Sequence, residues 1–301
     1  MELGWGKPKG DGTRDWQTKM MYFDREAPRG SVTVEPWGEW DHVIGFGGGD
    51  GPMMTMHDID VVDARTHLPG GKDAWTLHEH GFQFIDTPAY DFVDHKEHDR
   101  KKCDREFGPV VCEAARLTAG AKRCFWMSHQ RRAEPDERYS ADGYASGFGH
   151  SDYGPEFEAQ FRTVLENRYG MDAEEAATCG LLLCNLWCPV QRPAYDHPLV
   201  LLDGSSVDLG TDGAYWKLDP SVDNGYAEGK QRRPMEERVP IAAKDAPALA
   251  PLHSEGHRWV CLTDMTPQEA VIFKQCTSPL HRPAERSASA PRSPEAFCTC
   301  R

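Results

Sequence analysis

Long apolar runs are missing from this chain. No stretch approaches the about 18 consecutive apolar residues that a membrane-spanning helix needs, and residues 1–16, MELGWGKPKGDGTRDW, contain no apolar core of a secretory signal. These absences argue against a transmembrane or secreted protein. We therefore expect a cytoplasmic protein with no membrane partner.

Positive charge is also scarce. The chain has 34 Lys and Arg against 48 Asp and Glu, a formal net charge of −14. An acidic surface repels the phosphate backbone, so we expect no nucleic-acid partner. The ten cysteines include no C-x-x-C pair, and in an intracellular chain cysteines are usually thiols. We interpret them as buried or free thiols and consider a zinc site the less favoured alternative.

Two common catalytic signatures are absent as well. The chain has no G-x-S-x-G nucleophile elbow and no G-x-G-x-x-G after a strand. The glycine-rich stretch GFGGGDG at residues 45–51 lacks the preceding strand, the following helix and the lysine of a phosphate-binding loop. We interpret it as a flexible linker.

The regular part of the chain mixes helices with many short strands. Residues 155–169 place Phe157, Phe161, Val164 and Leu165 on one helical face. Asp172 with Glu175 predicts a capping box for a second helix. Further helices are predicted at 109–118 and 73–79. Strands are predicted at 57–63, 82–86, 121–129, 181–187, 257–265 and 270–276, with two more around Gly204.

This pattern predicts an α+β fold with a β-sandwich or jelly-roll core. Residues 1–53 are rich in Gly, Trp and Asp without a sustained period, and we interpret them as an irregular, strand-poor lead-in. Residues 54–276 are expected to form one compact domain. Residues 277–301 contain four prolines and no alternating apolar pattern, so we expect an irregular tail that adds no strand to the core.

The first group of residues that could carry chemistry is His150-Ser151-Asp152. A histidine and an aspartate two apart on a strand point to the same face, so both can reach one metal ion. A distant histidine would complete the two-His-one-carboxylate triad of non-haem iron oxygenases. The pattern H-x-D is weak by itself, because about one match is expected by chance in a chain this rich in His and Asp; the alternative is a surface turn.

Two other histidine groups are present. His253 and His257 have the spacing of a helical zinc pair, but Gly256 argues against a helix, and we favour a loop with exposed imidazoles. The stretch with His78, His80, His95 and His98 is mixed with charged residues, and we interpret it as a solvated face.

The order of motifs along the chain is more specific than any single motif. The runs are HDIDVVDAR, LHEHGFQFIDTP, TAGAKRCFWMSHQRR, GHSDY, LLLCNLWCPVQRPAYDHPLVLLDGSSV and HRWVCLTDMTPQEAVIFKQ. In this order, over about residues 54–276, the chain resembles the AsaB/CmcJ-like hydroxylase/desaturase family of secondary metabolism. The most specific parts are GHSDY, the segment beginning at NLW and the segment beginning at RWVCL.

The resemblance implies a double-stranded β-helix (jelly-roll) core with flanking helices, and Fe(II) and 2-oxoglutarate as cofactors. It implies hydroxylation or desaturation of a small organic molecule. The metal ligands would include His150 and Asp152, and Tyr153, Asn185 and Trp187 would line the pocket beside the metal. A relative that binds a ligand or partner without catalysis is the alternative. A methyltransferase, a label also given to members of the wider group, ranks last because no nucleoside-binding glycine loop is present.

The chain departs from the family pattern in three places. Cys188 stands where the family's N-x-W-R-P motif has arginine, and Arg286 stands where the distal histidine ligand would fall. Residues 298–301, CTCR, stand where the family has a final strand whose first arginine holds 2-oxoglutarate. The third ligand therefore stays open between His281 and none, and the 2-oxoglutarate anchor is unassigned.

Overall fold

The structure is a computed structural model. It describes residues 7–8, 10, 15–23, 33–34, 54–87, 100–129, 149–151, 153, 157–190, 192–195, 198–208, 213–218, 248–278 and 296–300. Asp152, His281 and Arg286 lie outside these residues, as do His95 and His98 and the glycine-rich stretch at 45–51.

Thirteen strands are found in the described residues. They are β1 (Lys7–Pro8), β2 (Trp16–Phe23), β3 (Thr33–Val34), β4 (Met54–Asp63), β5 (Phe82–Asp86), β6 (Arg123–Trp126), β7 (Gly180–Trp187), β8 (Leu201–Leu202), β9 (Gly213–Leu218), β10 (Ala248–Pro251), β11 (Trp259–Cys261), β12 (Glu269–Thr277) and β13 (Ala296–Cys300). The α-helices are α1 (Arg100–Ala119), α2 (Phe157–Tyr169) and α3 (Ala173–Thr178), and short 3-10 helices span Gly71–Ala74 and Gly204–Ser206.

Two five-stranded sheets organise the described chain. Sheet I has the order β1-β2-β4-β11-β8, and sheet II has the order β5-β12-β7-β13-β6. In sheet II, β12 is antiparallel to β5 and β7, whereas β13 is parallel to β7 and β6. A three-stranded sheet joins β10, β9 and β3. This arrangement confirms a mixed α and β protein.

An apolar cluster joins sheet I to sheet II. Val260 on β11 and Leu201 on β8 pack in the same buried cluster as Phe82 and Phe84 on β5 and Val271 on β12. Because successive side chains of β12 point to opposite faces of the sheet, Ile272 lies in a second cluster on the opposite face of sheet II. Helix α1 covers that opposite face. Its residues Val111, Ala115 and Ala119 pack in one cluster with Leu182 and Cys184 of β7.

Helices α2 and α3 pack on the face of sheet II that is turned away from α1, beside the area of that face that contacts sheet I. Phe157, Phe161 and Leu165 are buried there with Leu181 and Leu183 of β7. The expected helical face of α2 is thus confirmed for these three residues, whereas Val164, expected on the same face, is only partly buried. Helix α3 begins as the sequence predicts, because the Asp172 carboxylate accepts hydrogen bonds from the backbone N–H groups of Glu174 (2.9 Å) and Glu175 (3.2 Å).

Polar residues of two of the sequence motifs hold the loops at the end of β4. Asp63 is fully buried, and it accepts hydrogen bonds from the hydroxyl and backbone N–H of Thr263 and from the backbone N–H of Arg65. Arg65 in turn donates to both carboxylate oxygens of Glu269, at 2.9 and 2.7 Å. The residues of HDIDVVDAR and TDMTPQEA therefore fix the crossing from sheet I to sheet II.

A second buried carboxylate organises the turn after β8. Asp203 has no exposed surface; it accepts from the backbone N–H and hydroxyl of Ser205 and from the guanidinium of Arg258 at 2.8 Å. The backbone N–H of Gly204 donates to the carbonyl of His80, and a Cβ at Gly204 would lie 3.1 Å from that carbonyl oxygen. Close approach of the two chain segments explains the glycine in LLDGSS.

Several sequence expectations need correction. The lead-in contains an eight-residue strand, β2, which pairs along β4, and the tail contains β13, which lies between β6 and β7. The prediction that residues 277–301 add no strand is therefore wrong for Ala296–Cys300. Paired neighbours on both sides supply hydrogen bonds that a local pattern does not reveal.

Three local predictions also failed in part. The helix expected at 73–79 is a 3-10 helix, Gly71–Ala74, followed by turns. After Gly204 the described chain forms a 3-10 helix rather than a second strand. Helix α1 starts nine residues before Pro109 and holds this proline inside it. In the described residues, no helix combines the length and hydropathy that crossing a membrane requires.

Candidate functional site

The segment that carries the predicted metal motif bridges the two five-stranded sheets. At one end, Gly149 lies so close to Trp259 of sheet I that a Cβ on it would be 2.5 Å from the indole ring. At the other end, the Ser151 hydroxyl donates to the carbonyl of Gln275 on β12 of sheet II, at 2.8 Å. His150 is therefore held between two anchored neighbours, and it is partly buried.

The Ser151 anchor uses an irregularity of β12. The pairing of β12 with β7 shifts register between Lys274 and Cys276, which frees the backbone at Gln275. Ser151 Oγ also lies 3.0 Å from the Gln275 side-chain oxygen and 3.1 Å from the carbonyl of Tyr153. The bulge thus provides the acceptor that fixes the residue after His150.

The metal triad is not assembled within the described residues. Among them, no group of three or more His, Cys, Asp or Glu side chains is arranged to hold a metal ion. Asp152, the second predicted ligand, and His281, the candidate third ligand, lie outside the described part. The structure therefore locates His150 and leaves the other ligands as predictions.

Tyr153 lies in the apolar cluster beneath α2. Its ring contacts Phe161 edge-on with centroids 5.3 Å apart, and its backbone carbonyl accepts from the Cys276 thiol at 2.9 Å. Through these contacts Tyr153 links the predicted metal motif to helix α2 and to strand β12. A role in lining a pocket stays a prediction.

Asn185 and Trp187 lie on β7, on the face of sheet II that is turned away from helix α1. Trp187 packs at the edge of the cluster between the sheets, and Asn185 pairs across the strand with Phe273. The Asn185 Oδ1 atom is buried, and no group in the described residues donates a hydrogen bond to it. A buried acceptor without a donor is costly, and a role for Asn185 in binding a ligand stays a prediction.

Cys188 follows directly after this strand, at the position where the N-x-W-R-P motif of the AsaB/CmcJ-like proteins has arginine. Its thiol is a poor acid here, because burial raises its pKa to about 11. A neutral thiol offers neither the positive charge nor the forked donors with which arginine binds a carboxylate. The chemistry of this position is therefore altered in this chain.

Sequence reasoning missed a cluster of aromatic rings and histidines around Tyr22. The Tyr22 hydroxyl accepts from the indole N–H of Trp259 at 2.5 Å and lies 3.3 Å from Nδ1 of His257. His57 and His253 stack with centroids 3.7 Å apart, and both rings meet Tyr22 edge-on. Only the three-dimensional arrangement brings β2, β4 and the loop before β11 together here.

The histidine expectations are revised by these contacts. His253 and His257 are partly buried against Tyr22 and are not exposed loop imidazoles. His80 is 6% exposed and accepts a hydrogen bond from the backbone N–H of Thr76, so it is not part of a solvated face. His78 is exposed as expected. Partial desolvation of its ring, together with the charge of Lys274, lowers its pKa.

The fold and this bridging segment define a mixed α and β protein in which a histidine is held between two packed sheets. The family model described as "YDMC: Oxidoreductase/YMDC permease-like domain" matches residues 50–295. The chain belongs to this family. No curated protein gives a significant sequence match.

Solved structures extend the comparison of the fold. The chain is similar to the iron and alpha-ketoglutarate-dependent endoperoxidase NvfI, with a TM-score of 0.63 and 19% identity over 88% of this chain and 85% of that one. A variant of the same enzyme, with one tryptophan replaced by phenylalanine, gives a TM-score of 0.61 and 18% identity over 89% and 86% of the two chains. At this identity the likeness establishes a shared fold.

Proposed function

We propose that this protein is a non-haem Fe(II)/2-oxoglutarate-dependent oxidoreductase that hydroxylates or desaturates a small organic molecule of secondary metabolism. The observation that carries the proposal is the position of His150, which is partly buried and anchored on each side to a different sheet. The shared fold with an iron and alpha-ketoglutarate-dependent endoperoxidase supports it. So does the AsaB/CmcJ-like order of motifs.

The donor types in the predicted site fit ferrous iron. An imidazole from His150 and a carboxylate from Asp152 are two members of the two-His-one-carboxylate set that such oxygenases use. The buried, undonated Oδ1 of Asn185 is a further feature of the described residues that suits a ligand-binding interior. When bound, iron would activate dioxygen as the oxidant and 2-oxoglutarate would supply two electrons, and no side chain of the protein offers this chemistry.

The protein's own residues would hold and orient this chemistry. The Ser151 hydroxyl fixes the backbone after His150 to the β12 bulge, which limits the movement of the imidazole. Trp187 and Phe273 would present an apolar surface to the substrate, and Asn185 Oδ1 would accept a hydrogen bond from it. An apolar wall with one acceptor suits a small, largely apolar molecule with a hydroxyl or N–H group.

A second candidate is a relative that binds a ligand without oxidising it. One observation favours it: Cys188 carries a neutral, partly buried thiol in place of arginine. A site with two protein ligands would bind iron weakly, because affinity and geometry come from all ligands and their hydrogen-bond partners.

Anaerobic titration with Fe(II) and 2-oxoglutarate, followed by absorbance, tests the proposal. We expect saturable but weak iron binding that is lost in His150→Ala and in Asp152→Ala. His78→Ala is the matched control, since His78 is exposed and outside the bridging segment, and it should bind as the unmodified protein does.

The outcomes separate the two candidates. Iron binding in the titration, followed by 2-oxoglutarate turnover once air is admitted, supports the oxidoreductase. Tight binding that survives the loss of Asp152 contradicts the ligand assignment, and the absence of both binding and turnover favours the non-catalytic relative.

A further inference from the structure

We infer that Tyr22 is a positioning residue for the His150 segment and acts on it through Trp259. The inference rests on the proposed function in one respect, namely that His150 is a metal ligand. Tyr22 lies on β2, ahead of residues 50–295 that the family model matches. The N-terminal strand would thus contribute to the site of the matched domain.

The first step is the contact between Trp259 and Gly149. The ideal Cβ position of Gly149 lies 2.5 Å from the six-membered ring of the indole and 3.4 Å from two further ring atoms. Since real side chains do not approach so closely, residue 149 must be glycine while the indole stays in place. The position of the indole therefore sets how near the backbone before His150 can come to β11.

The second step is the hydrogen bond that fixes the indole. Trp259 is 3% exposed, and its Nε1–H donates to the Tyr22 hydroxyl at 2.5 Å. A buried indole N–H needs an acceptor, so this bond selects one orientation of the ring. The edge-on contact of the two rings, with centroids 6.0 Å apart, restrains it further.

The third step is the restraint on Tyr22 itself. The ring is 1% exposed and lies among Ile59, Val61 and Cys261. Because the hydroxyl oxygen accepts from Trp259, its hydrogen is free to point to Nδ1 of His257, 3.3 Å away. Two polar contacts of the hydroxyl and the packing of the ring thus hold Tyr22 in place. Tyr22 can therefore fix the position of the Trp259 indole.

Tyr22→Phe removes the hydroxyl and keeps the ring, so it tests the chain of contacts directly. Two readouts are needed: affinity for Co(II), used as a spectroscopic probe of the proposed ferrous site, and hydrogen–deuterium exchange of the Gly149, His150 and Ser151 amides. We expect Co(II) affinity to fall about 3- to 10-fold. This loss is no larger than the loss in metal affinity caused by mutating a residue that hydrogen-bonds a metal ligand directly. Exchange of the three amides should become faster.

Two further variants separate positioning from general loss of stability. Met20→Ala truncates another partly buried side chain of β2 that packs on the same cluster and leaves the Tyr22 hydroxyl in place. It should lower the melting temperature without changing Co(II) affinity or exchange at residues 149–151. Gly149→Ala disturbs the other end of the contact, so adding Tyr22→Phe to it should have little further effect.

The inference is overturned if Tyr22→Phe leaves exchange at residues 149–151 unchanged, or if its effect adds fully to that of Gly149→Ala. If the unmodified protein binds no Co(II) or Fe(II), the proposed function fails. The exchange measurement still decides in that case whether Tyr22 positions the His150 backbone.

Discussion

Arg65, just after β4, and Glu269, at the start of β12, form a two-pronged ion pair with N–O distances of 2.9 and 2.7 Å. The pair joins the chain at the end of a strand in sheet I to the first residue of a strand in sheet II. Both side chains are largely removed from water, with 27% and 11% of their surface exposed. Parallel donor–acceptor pairs of this kind are among the stronger hydrogen bonds in proteins.

We expect Glu269→Gln to reduce the free energy of unfolding by about 2–3 kcal/mol at pH 7, because Arg65 keeps its charge and loses its partner. Burial would raise the pKa of Glu269, but the hydrogen bonds from Arg65 and Thr266 and the positive charge of Arg65 outweigh it and lower that pKa. The stabilisation is therefore present above the ordinary glutamate pKa of about 4.3 and is lost as the pH falls through the lowered value.

Urea unfolding of both proteins at pH 7 and at several values below the ordinary glutamate pKa measures this difference. The exposed Glu79→Gln variant is the control and should match the unmodified protein throughout. A stability gap for Glu269→Gln that stays constant down to about pH 3, well below the usual glutamate pKa, would contradict the role given to this carboxylate.

We expect the buried phenol of Tyr22 to make the stability of the protein depend on pH in the alkaline range. Burial raises its pKa to about 12, although the hydrogen bond from Trp259 works in the opposite direction. Between about pH 10, where an unfolded tyrosine ionises, and the raised folded-state value, the unfolded chain releases a proton that the folded protein retains. Stability therefore falls as the pH rises through this window and is unaffected by this group below it.

Tyr22→Phe should be less stable than the unmodified protein at about pH 9 by about 1 kcal/mol, the typical value of a lost hydrogen bond, and the gap should narrow at about pH 11, above the ordinary tyrosine pKa. Thermal unfolding at both pH values tests this. Tyr195 is 62% exposed, so Tyr195→Phe should show no such change. An equal gap at both pH values would refute the alkaline linkage.

We expect substitution of Asn185 to change stability and ligand binding in opposite directions. Its Oδ1 is buried with no donor in the described residues, so Asn185→Leu, which keeps the shape, should raise the free energy of unfolding by about 1–3 kcal/mol in the ligand-free protein. Activity or ligand binding should fall in the same variant. This combination is typical of a polar group retained for function.

Gln83→Met is the matched comparison. The Gln83 Oε1 accepts from the backbone N–H of Leu77, so removing this amide should destabilise the protein. Differential scanning calorimetry of the two variants gives the comparison. Destabilisation by Asn185→Leu would mean that its amide already has a partner.

The C-terminal strand gives a prediction about the whole of sheet II. Deleting residues 296–301 removes β13, which pairs with β7 on one side and with β6 on the other. We expect a lower melting temperature and a smaller urea m-value, because β6 loses its partner and less surface is buried on folding. Removal of Arg301 alone is the control. Unchanged values for the larger deletion would show that β13 contributes nothing to the sheet.

Local patterns in the sequence determined the elements that carry a strong signal of their own. The helical face of Phe157, Phe161 and Leu165, the Asp172 cap and the apolar strand at 181–187 are all found where the pattern predicts them. Each depends on side-chain periodicity or on a cap within a few residues. The order of motifs likewise points to His150 and Asn185 as site residues.

The tertiary structure alone decided the rest, because the deciding contacts join residues far apart in sequence. Strands β2 and β13 have weak local patterns and are fixed by neighbours on adjacent strands. His80 and His253 look solvent-exposed in a polar stretch, yet one accepts a backbone hydrogen bond and the other stacks on His57. The contact from Tyr22 through Trp259 to Gly149 joins segments far apart in the chain, and no short-range spacing could predict it.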